Sequence, residues 1–290
     1  MKKILFQTLI LAIVLFSACE EQPIEVTQEP INSDRKILIE EFTGANCAAC
    51  PAGAKIIETL RDTYGDKIVA VGIHTTVSGP LGKPLPGSAY DLRTNTGDDL
   101  ASFLGGLSAI PAAVFNRTKF ESESKMAVLA PDTWPTFVLE ELEKAPVVKL
   151  ETDLEYRDDT RTLTINVVAT PLENKEGDFR VGVMITESNI IDFQNDSGTI
   201  DSMYQNNHIL RVLPTTTDPA LDNLPGPGGD QLATTFVTNS PITKTYVIQL
   251  PEEDGTWIAS NINIVTFVSE VNDQDGTIKV LQADEAHLGE

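Results

Sequence analysis

The sequence predicts an α/β unit followed by an all-β domain, Ig-like in size, and three observations carry that prediction. Two short apolar runs, 36–42 (KILIEEF) and 67–74 (KIVAVGIH), flank a stretch with helical apolar spacing. From Lys149 onward the apolar period changes from three-to-four to two, and it recurs through several segments. Between the two regimes, Ala145-Pro146 ends the last helical stretch.

The chain opens with Lys2 and Lys3, an apolar run from Ile4 to Ala18, and then Cys19. That run is too short for a permanent bilayer span but suits the core of a signal peptide. Leu15-Phe16-Ser17-Ala18-Cys19 resembles a lipobox, which implies that residues 1–18 are removed and that Cys19 is acylated. Several acyl chains would anchor the protein to a membrane. Loss of Lys2 and Lys3 moves the formal charge from −22 to −24. So acidic a surface repels phosphate backbones and anionic headgroups, which excludes nucleic acid as a partner. No other stretch approaches the continuous apolar length of a transmembrane helix. Residues 19–34, acidic and without periodicity, form a flexible tether. The remaining length favours two domains, 35–146 and 147–290.

In the first domain, 36–42 reads as a buried central strand. Ala54, Ile57, Leu60 and Arg61 then define a helix with Pro51 in its first turn and Gly65 as its C-cap. Residues 67–74 supply a second strand, and strand–helix–strand with short links implies parallel pairing. Cys47 and Cys50, the two cysteines besides Cys19, therefore fall between the first strand and the helix. A helix N-terminus stabilises a thiolate there, lowering a cysteine below its free pKa of about 8.5. A bridge across so short a loop constrains the unfolded chain little, so stability alone is a poor reason for it. Trp134 to Lys144 is the closing helix.

In the second domain, Leu150/Thr152/Leu154/Tyr156, Leu163/Ile165/Val167/Ala169, Val181/Val183/Ile185, Tyr246/Ile248/Leu250 and Ile262/Ile264/Thr266/Val268 alternate with polar residues. With a short strand at Ile278 to Leu281, they describe a β-sandwich whose strands each keep one wet face. From Gln194 to Ala233 the pattern fails, apart from Ile209 to Leu213, which predicts a long surface loop. Residues 272–276 resemble a calcium loop but lack its bidentate glutamate, so they read as a hairpin turn. Asn116-Arg117-Thr118 matches a glycosylation sequon by chance, and no nucleophile elbow or phosphate-cradling glycine loop occurs.

Residues 36–64 resemble the opening of a thioredoxin fold. That resemblance implies a buried proton-relaying carboxylate at Glu41 and a substrate-pairing cis-proline at Ile110-Pro111 ahead of a strand from Ala112 to Phe115. The chain departs from the pattern with Ala-Ala between the cysteines, no tryptophan before Cys47, and an insertion at 75–97. The blocks IEEFTGANCAACPAG (39–53) and IPAAVFNR (110–117), together with the lipobox, resemble the Omp28-related outer-membrane lipoprotein family. This implies a lipid-anchored envelope location, at the periplasmic face or the cell surface.

The functional expectation is thiol–disulfide exchange on envelope protein thiols. Cys47 is the nucleophile, Cys50 the resolving thiol, Glu41 the proton carrier, and Pro111 with Ile110 the substrate backbone's support. No cofactor is expected. The alternative is a non-catalytic binding or adhesion module in which Cys47–Cys50 is a structural disulfide. In a third reading Cys47, Cys50 and His74 hold copper(I) or zinc. His208 and His287 are assigned to surface or packing roles.

Overall fold

The computed structural model describes residues 33–212, 226–272 and 276–289. The signal segment, Cys19 and most of the tether lie outside the described residues. So do Pro225 and the centre of the 272–276 turn.

The N-terminal half runs β1 (Ile37–Thr43), α1 (Cys50–Tyr64), β2 (Ile68–His74), α2 (Asn95–Phe103), β3 (Ala112–Phe115) and α3 (Trp134–Leu142). β1 is parallel to β2, with Ile37 opposite Ile68, and antiparallel to β3. Both faces of β1 are covered, which is why its sequence shows no alternation. Ile37 and Ile39 pack under α1 and α3 with Ile57, Leu60 and Trp134. Leu38 and Phe42 face the opposite layer with Leu100 and Leu104 from the α2 region. α2 begins at the end of the expected insertion, 75–97, and runs beyond it; Thr94 caps it by accepting a 2.9 Å bond from the Gly97 N–H.

The C-terminal half adds β4 (Val148–Arg157), β5 (Thr162–Pro171), β6 (Lys175–Glu187), β7 (Ile190–Asp196), β8 (Thr199–Asn206), β9 (Ile209–Val212), β10 (Asp230–Phe236), β11 (Ile242–Gln249), β12 (Ile262–Val271) and β13 (Ile278–His287). Of these strands, β6, β9, β10, β12 and β13 join the sheet of the N-terminal half. One sheet runs β13-β12-β6-β9-β2-β1-β3, with β10 also paired to β6. The bridge between halves is narrow: Gly72 pairs with Ile209, and the Gly72 N–H donates to the His208 carbonyl at 2.8 Å. A Cβ at Gly72 would lie 3.1 Å from Ile209 Cδ1, so a larger residue there would push that side-chain tip by a few tenths of an ångström.

β11-β5-β4 form a second sheet that covers one face of β6 and β12 and shares their core. The expected wet face is present on β4, β5 and β11. It is absent from most of β6 and β12. Their other face carries Met184, Val265 and Phe267, which pack in one core with Leu38, Phe42 and Val69. The expected loop 194–233 also differs: β7 and β8 make a hairpin, and β9 and β10 join the large sheet. β8 is exposed on both faces, so it has no period-two signature to find.

Gly182 of β6 opposes Phe267 of β12, and a Cβ there would come within 2.0 Å of that ring. Gly182→Ala is therefore expected to cost about 1–3 kcal/mol by overpacking. A shift in the urea midpoint at unchanged slope would report it, and an unshifted midpoint would show that the ring can yield.

A capped Cys-x-x-Cys at the sheet edge

Cys47 and Cys50 form a disulfide where β1 runs out and α1 begins. Cys50 is the first residue of α1 and Pro51 follows in its first turn, where a missing N–H leaves no bond unmade. Ile110-Pro111 is a cis peptide, and Cys47 Sγ lies 3.8 Å from the Ile110 carbonyl oxygen. The topology thus brings Cys47, Cys50, Ile110 and Pro111 together from segments sixty residues apart. Both cysteines are nonetheless buried, at 2% and 1% exposure.

Glu41 is not a solvent-facing sheet-edge carboxylate. β1 has neighbours on both sides, and alternation turns Glu40 to one layer and Glu41 to the other. Glu41 points under α1: a Cβ on Gly53 would lie 2.9 Å from Glu41 Oε1. Gly53 is one turn beyond Cys50, so the carboxyl lies beneath the face of the helix that Cys50 begins. Its Oε1 has no hydrogen-bond partner among the described residues. Burial, reinforced by the Glu58 charge, pushes its pKa up to about 8. Glu41, Glu58, Tyr204 and His208 line a cavity of about 50 Å³, room for a few waters. Burial and the nearby charge of Glu41 likewise push Tyr204 up to about 12.

His74 ends β2 as expected, but it is buried and burial lowers its pKa to about 4, Arg93 adding to the effect against Asp91. The ring is neutral near pH 7, so it supplies no positive charge to a thiolate. Among the described residues no three His, Cys, Asp or Glu side chains are grouped to hold a metal ion, so His74 is not gathered with the cysteines for that purpose. His208 stands 3.5 Å from Glu285, and His287 Nδ1 shares a 2.6 Å bond with Asn263.

Residues that the sequence reading passed over matter most around the loop. Gln194 donates its amide to the carbonyls of Gly44 (3.3 Å) and Cys47 (3.2 Å). The N–H groups of Asn195 and Ser197 donate to Ala45 (2.8 Å) and Ala48 (2.9 Å). On the other flank the Asn46 N–H donates to Leu81 at 3.0 Å. No motif marks these residues, because each acts through local geometry rather than a reactive group. Asn116 is fully buried, with its amide bonded to Glu141 at 3.0 Å, so the sequon there is structural.

Fold and site together define a β-rich protein built around a buried Cys-x-x-Cys disulfide at a helix start. The chain belongs to the Omp28 outer membrane protein family, whose model matches residues 103–290. The match spans the cis-proline, α3 and the β strands that follow; Cys47 and Cys50 precede it. No curated protein matches the chain. Among solved structures it resembles HBP35 of Porphyromonas gingivalis, with a TM-score of 0.64 at 15% identity, over 88% of this chain and 76% of that one. A protein from Agrobacterium tumefaciens aligns over 91% of this chain and 97% of its own, with a TM-score of 0.49 at 12% identity.

Proposed function

We propose that this protein is a lipid-anchored envelope protein that exchanges thiols and disulfides through Cys47 and Cys50. Residues 35–146 would act as a thioredoxin-like half and 147–290 as an Ig-like β half. The observation that carries the reading is the placement of the pair: a disulfide at a helix start, the Ile110 carbonyl ahead of Pro111 at 3.8 Å from Cys47, and a carboxyl with a pKa of about 8 under the same helix.

In the reduced protein the helix N-terminus favours the Cys47 thiolate. That thiolate attacks one sulfur of a substrate protein's disulfide, forming the Cys47–substrate bond and releasing the other sulfur as a thiolate. Glu41, ionised, then takes the Cys50 proton. The Cys50 thiolate attacks Cys47 Sγ, expels the second substrate sulfur and restores the Cys47–Cys50 bond. The substrate gains two electrons and two protons, the pair loses them, and an envelope dithiol donor must recharge it. Ile110 and Pro111 support the substrate backbone. Acyl chains on Cys19 hold the protein to the outer membrane, at its periplasmic face or at the cell surface.

Glutathione titration of the full chain with thiol trapping tests this. A potential between roughly −270 and −120 mV is expected, and Cys50→Ser should trap mixed disulfides on Cys47. A value below about −300 mV would instead make the bridge structural. That outcome would favour the second reading, a binding or adhesion module, for which the burial of both sulfurs speaks.

A further inference from the structure

The Cys47–Cys50 loop is two successive turns, and one side chain from far along the sequence is bonded to both. The Cys47 N–H donates to the Gly44 carbonyl at 3.1 Å, and the Cys50 N–H donates to the Cys47 carbonyl at 3.2 Å. Gln194 of β7 donates its amide to the same two carbonyls, at 3.3 and 3.2 Å, and also to that of Asn195 at 3.0 Å. It is 3% exposed, and the β7–β8 register shift between Asp192 and Gln194 is the kind of irregularity that re-aims a side chain. The Asn195 N–H, from the same strand, and the Ser197 N–H, from the turn beyond it, donate to the Ala45 and Ala48 carbonyls.

These donors belong to a fixed frame. Ile190, at the root of β7, is buried with Leu92 and Ile209. The Asp192 carboxylate accepts from the N–H groups of Ala89 (3.0 Å) and Tyr90 (2.9 Å), and the Asn206 amide donates to the Ile190 carbonyl at 3.2 Å. At the other end of the loop, α1 holds Cys50 as its first residue. The sulfurs themselves lie against the Ile110 carbonyl and the apolar residues of β1, β2 and the α2–β3 segment. Gln194 therefore reaches the pair through the main chain of the loop.

Reduction removes the bond between the sulfurs, which then part to non-bonded contact at about 3.5–4 Å. With both side chains buried and Cys50 held by α1, part of that movement falls on the Cys47 turn, whose carbonyls Gln194 holds. We propose that Gln194 is a positioning residue for the exchange reaction. Its amide, with the Asn195 and Ser197 N–H groups, locks the loop in the conformation of the disulfide and so lowers the reduction potential of the pair. This role rests on the exchange reading and adds what sets the direction of transfer. A lower potential makes the dithiol the stronger reductant, the direction in which the reduced pair gives its electrons to a substrate disulfide.

The test is the reduction potential of the full chain, equilibrated in glutathione or dithiothreitol buffers and thiol-trapped. Each reduction breaks the Cys47–Cys50 bond, joins two buffer thiols in a disulfide, and passes two electrons and two protons to the pair. Gln194→Met keeps the bulk of the side chain and removes its donors. It is expected to shift the equilibrium about tenfold toward the dithiol, a rise of about 30 mV. Gly182→Ala, which overpacks the β6–β12 contact, should lower the urea midpoint yet leave the redox equilibrium within about twofold of the parent. A shift of less than about threefold for Gln194→Met, or an equal shift for Gly182→Ala, would overturn the role. Gln194 and Glu41 line the same cavity, so the shift is measured again in a Glu41→Gln background. It should persist there; its loss would assign the effect to the Glu41 proton and overturn the role. If Gln194→Met does not fold, hydrogen exchange in the unaltered protein decides. By reciprocity, bonds that favour the disulfide weaken when the pair is reduced. The Asn195 and Ser197 amides should exchange at least about tenfold faster after reduction while those of β12 keep their rates. Unchanged rates at Asn195 and Ser197 would sink the role. The parent's own potential keeps the two readings apart. A parent below about −300 mV with the shift present defeats exchange and leaves the locking, whereas a working potential without the shift defeats only the role of Gln194.

Discussion

Glu40→Ala is expected to lose about 3–5 kcal/mol of stability, because it strands a fully buried guanidinium. Glu40 and Arg117 are both completely shielded, with Arg117 Nη2 2.7 Å from Glu40 Oε1 and Nε 3.1 Å from Oε2. The rest of the guanidinium donates to the Pro227 carbonyl at 2.6 Å and stacks 4.6 Å from the Phe267 ring. This side chain therefore joins β1 of the first half to β12 of the second, and its backbone sits in the left-handed region (φ 52°) to reach there. Removing the carboxylate leaves the charge desolvated with one carbonyl partner. Replacing both ends by apolar residues of similar volume, Glu40→Leu with Arg117→Met, should recover most of the loss, since the pair's attraction largely offsets its own desolvation. Urea midpoints for the two single variants and the double variant close the cycle. A double variant as unstable as the single ones would mean that the pair specifies the junction rather than merely cancelling charge.

Glu41→Gln is expected to stabilise the protein increasingly as pH rises from about 5 to 8. An unfolded glutamate loses its proton near 4.5, whereas the folded one holds it to about 8. Between these values the native state binds more protons than the unfolded state, so stability falls as pH rises. The accumulated penalty is on the order of 4 kcal/mol by pH 8, and glutamine, neutral throughout, escapes it. His74 gives the opposite slope: its folded pKa of about 4 lies below the ordinary 6.5, so stability is lost on acidification through that window. Parent and variant must therefore be compared at each pH, where the His74 contribution cancels. Glu58 and Tyr204 share the cavity and stay in place in both proteins. Equal differences in melting temperature at pH 5 and pH 8 would show that Glu41 titrates normally. If Glu41 also relays the Cys50 proton, the same variant should slow resolution of the mixed disulfide about 100-fold.

The strand–helix–strand opening was legible because its period, breakers and helix start are local. β1, α1, β2 and the cysteines at the helix start follow from 36–74 alone. α3 and the alternating strands β4, β5 and β11 were equally readable, whereas the cis-proline at Ile110-Pro111 was implied only by the thioredoxin resemblance. β6 and β12 were found as strands but given a wet face, since only packing against Leu38 and Phe42 shows that they are covered twice. The β7–β8 hairpin was invisible because β7 buries polar residues, Asp192 and Gln194, beyond Ile190, while β8 is almost wholly exposed, so neither leaves an apolar period.

By itself, then, the sequence determined where the cysteine pair lies and which local elements present it, because helix starts and strand periods are encoded in neighbouring residues. Only the tertiary structure decided three further matters: that both halves share one sheet, that Glu41 is buried beneath α1, which raises its pKa, and that Gln194, Asn195 and Ser197 donate to the backbone carbonyls of the cysteine loop. Each depends on groups distant in the chain meeting in space. Desolvation and hydrogen bonding are properties of that meeting, and no single segment contains them.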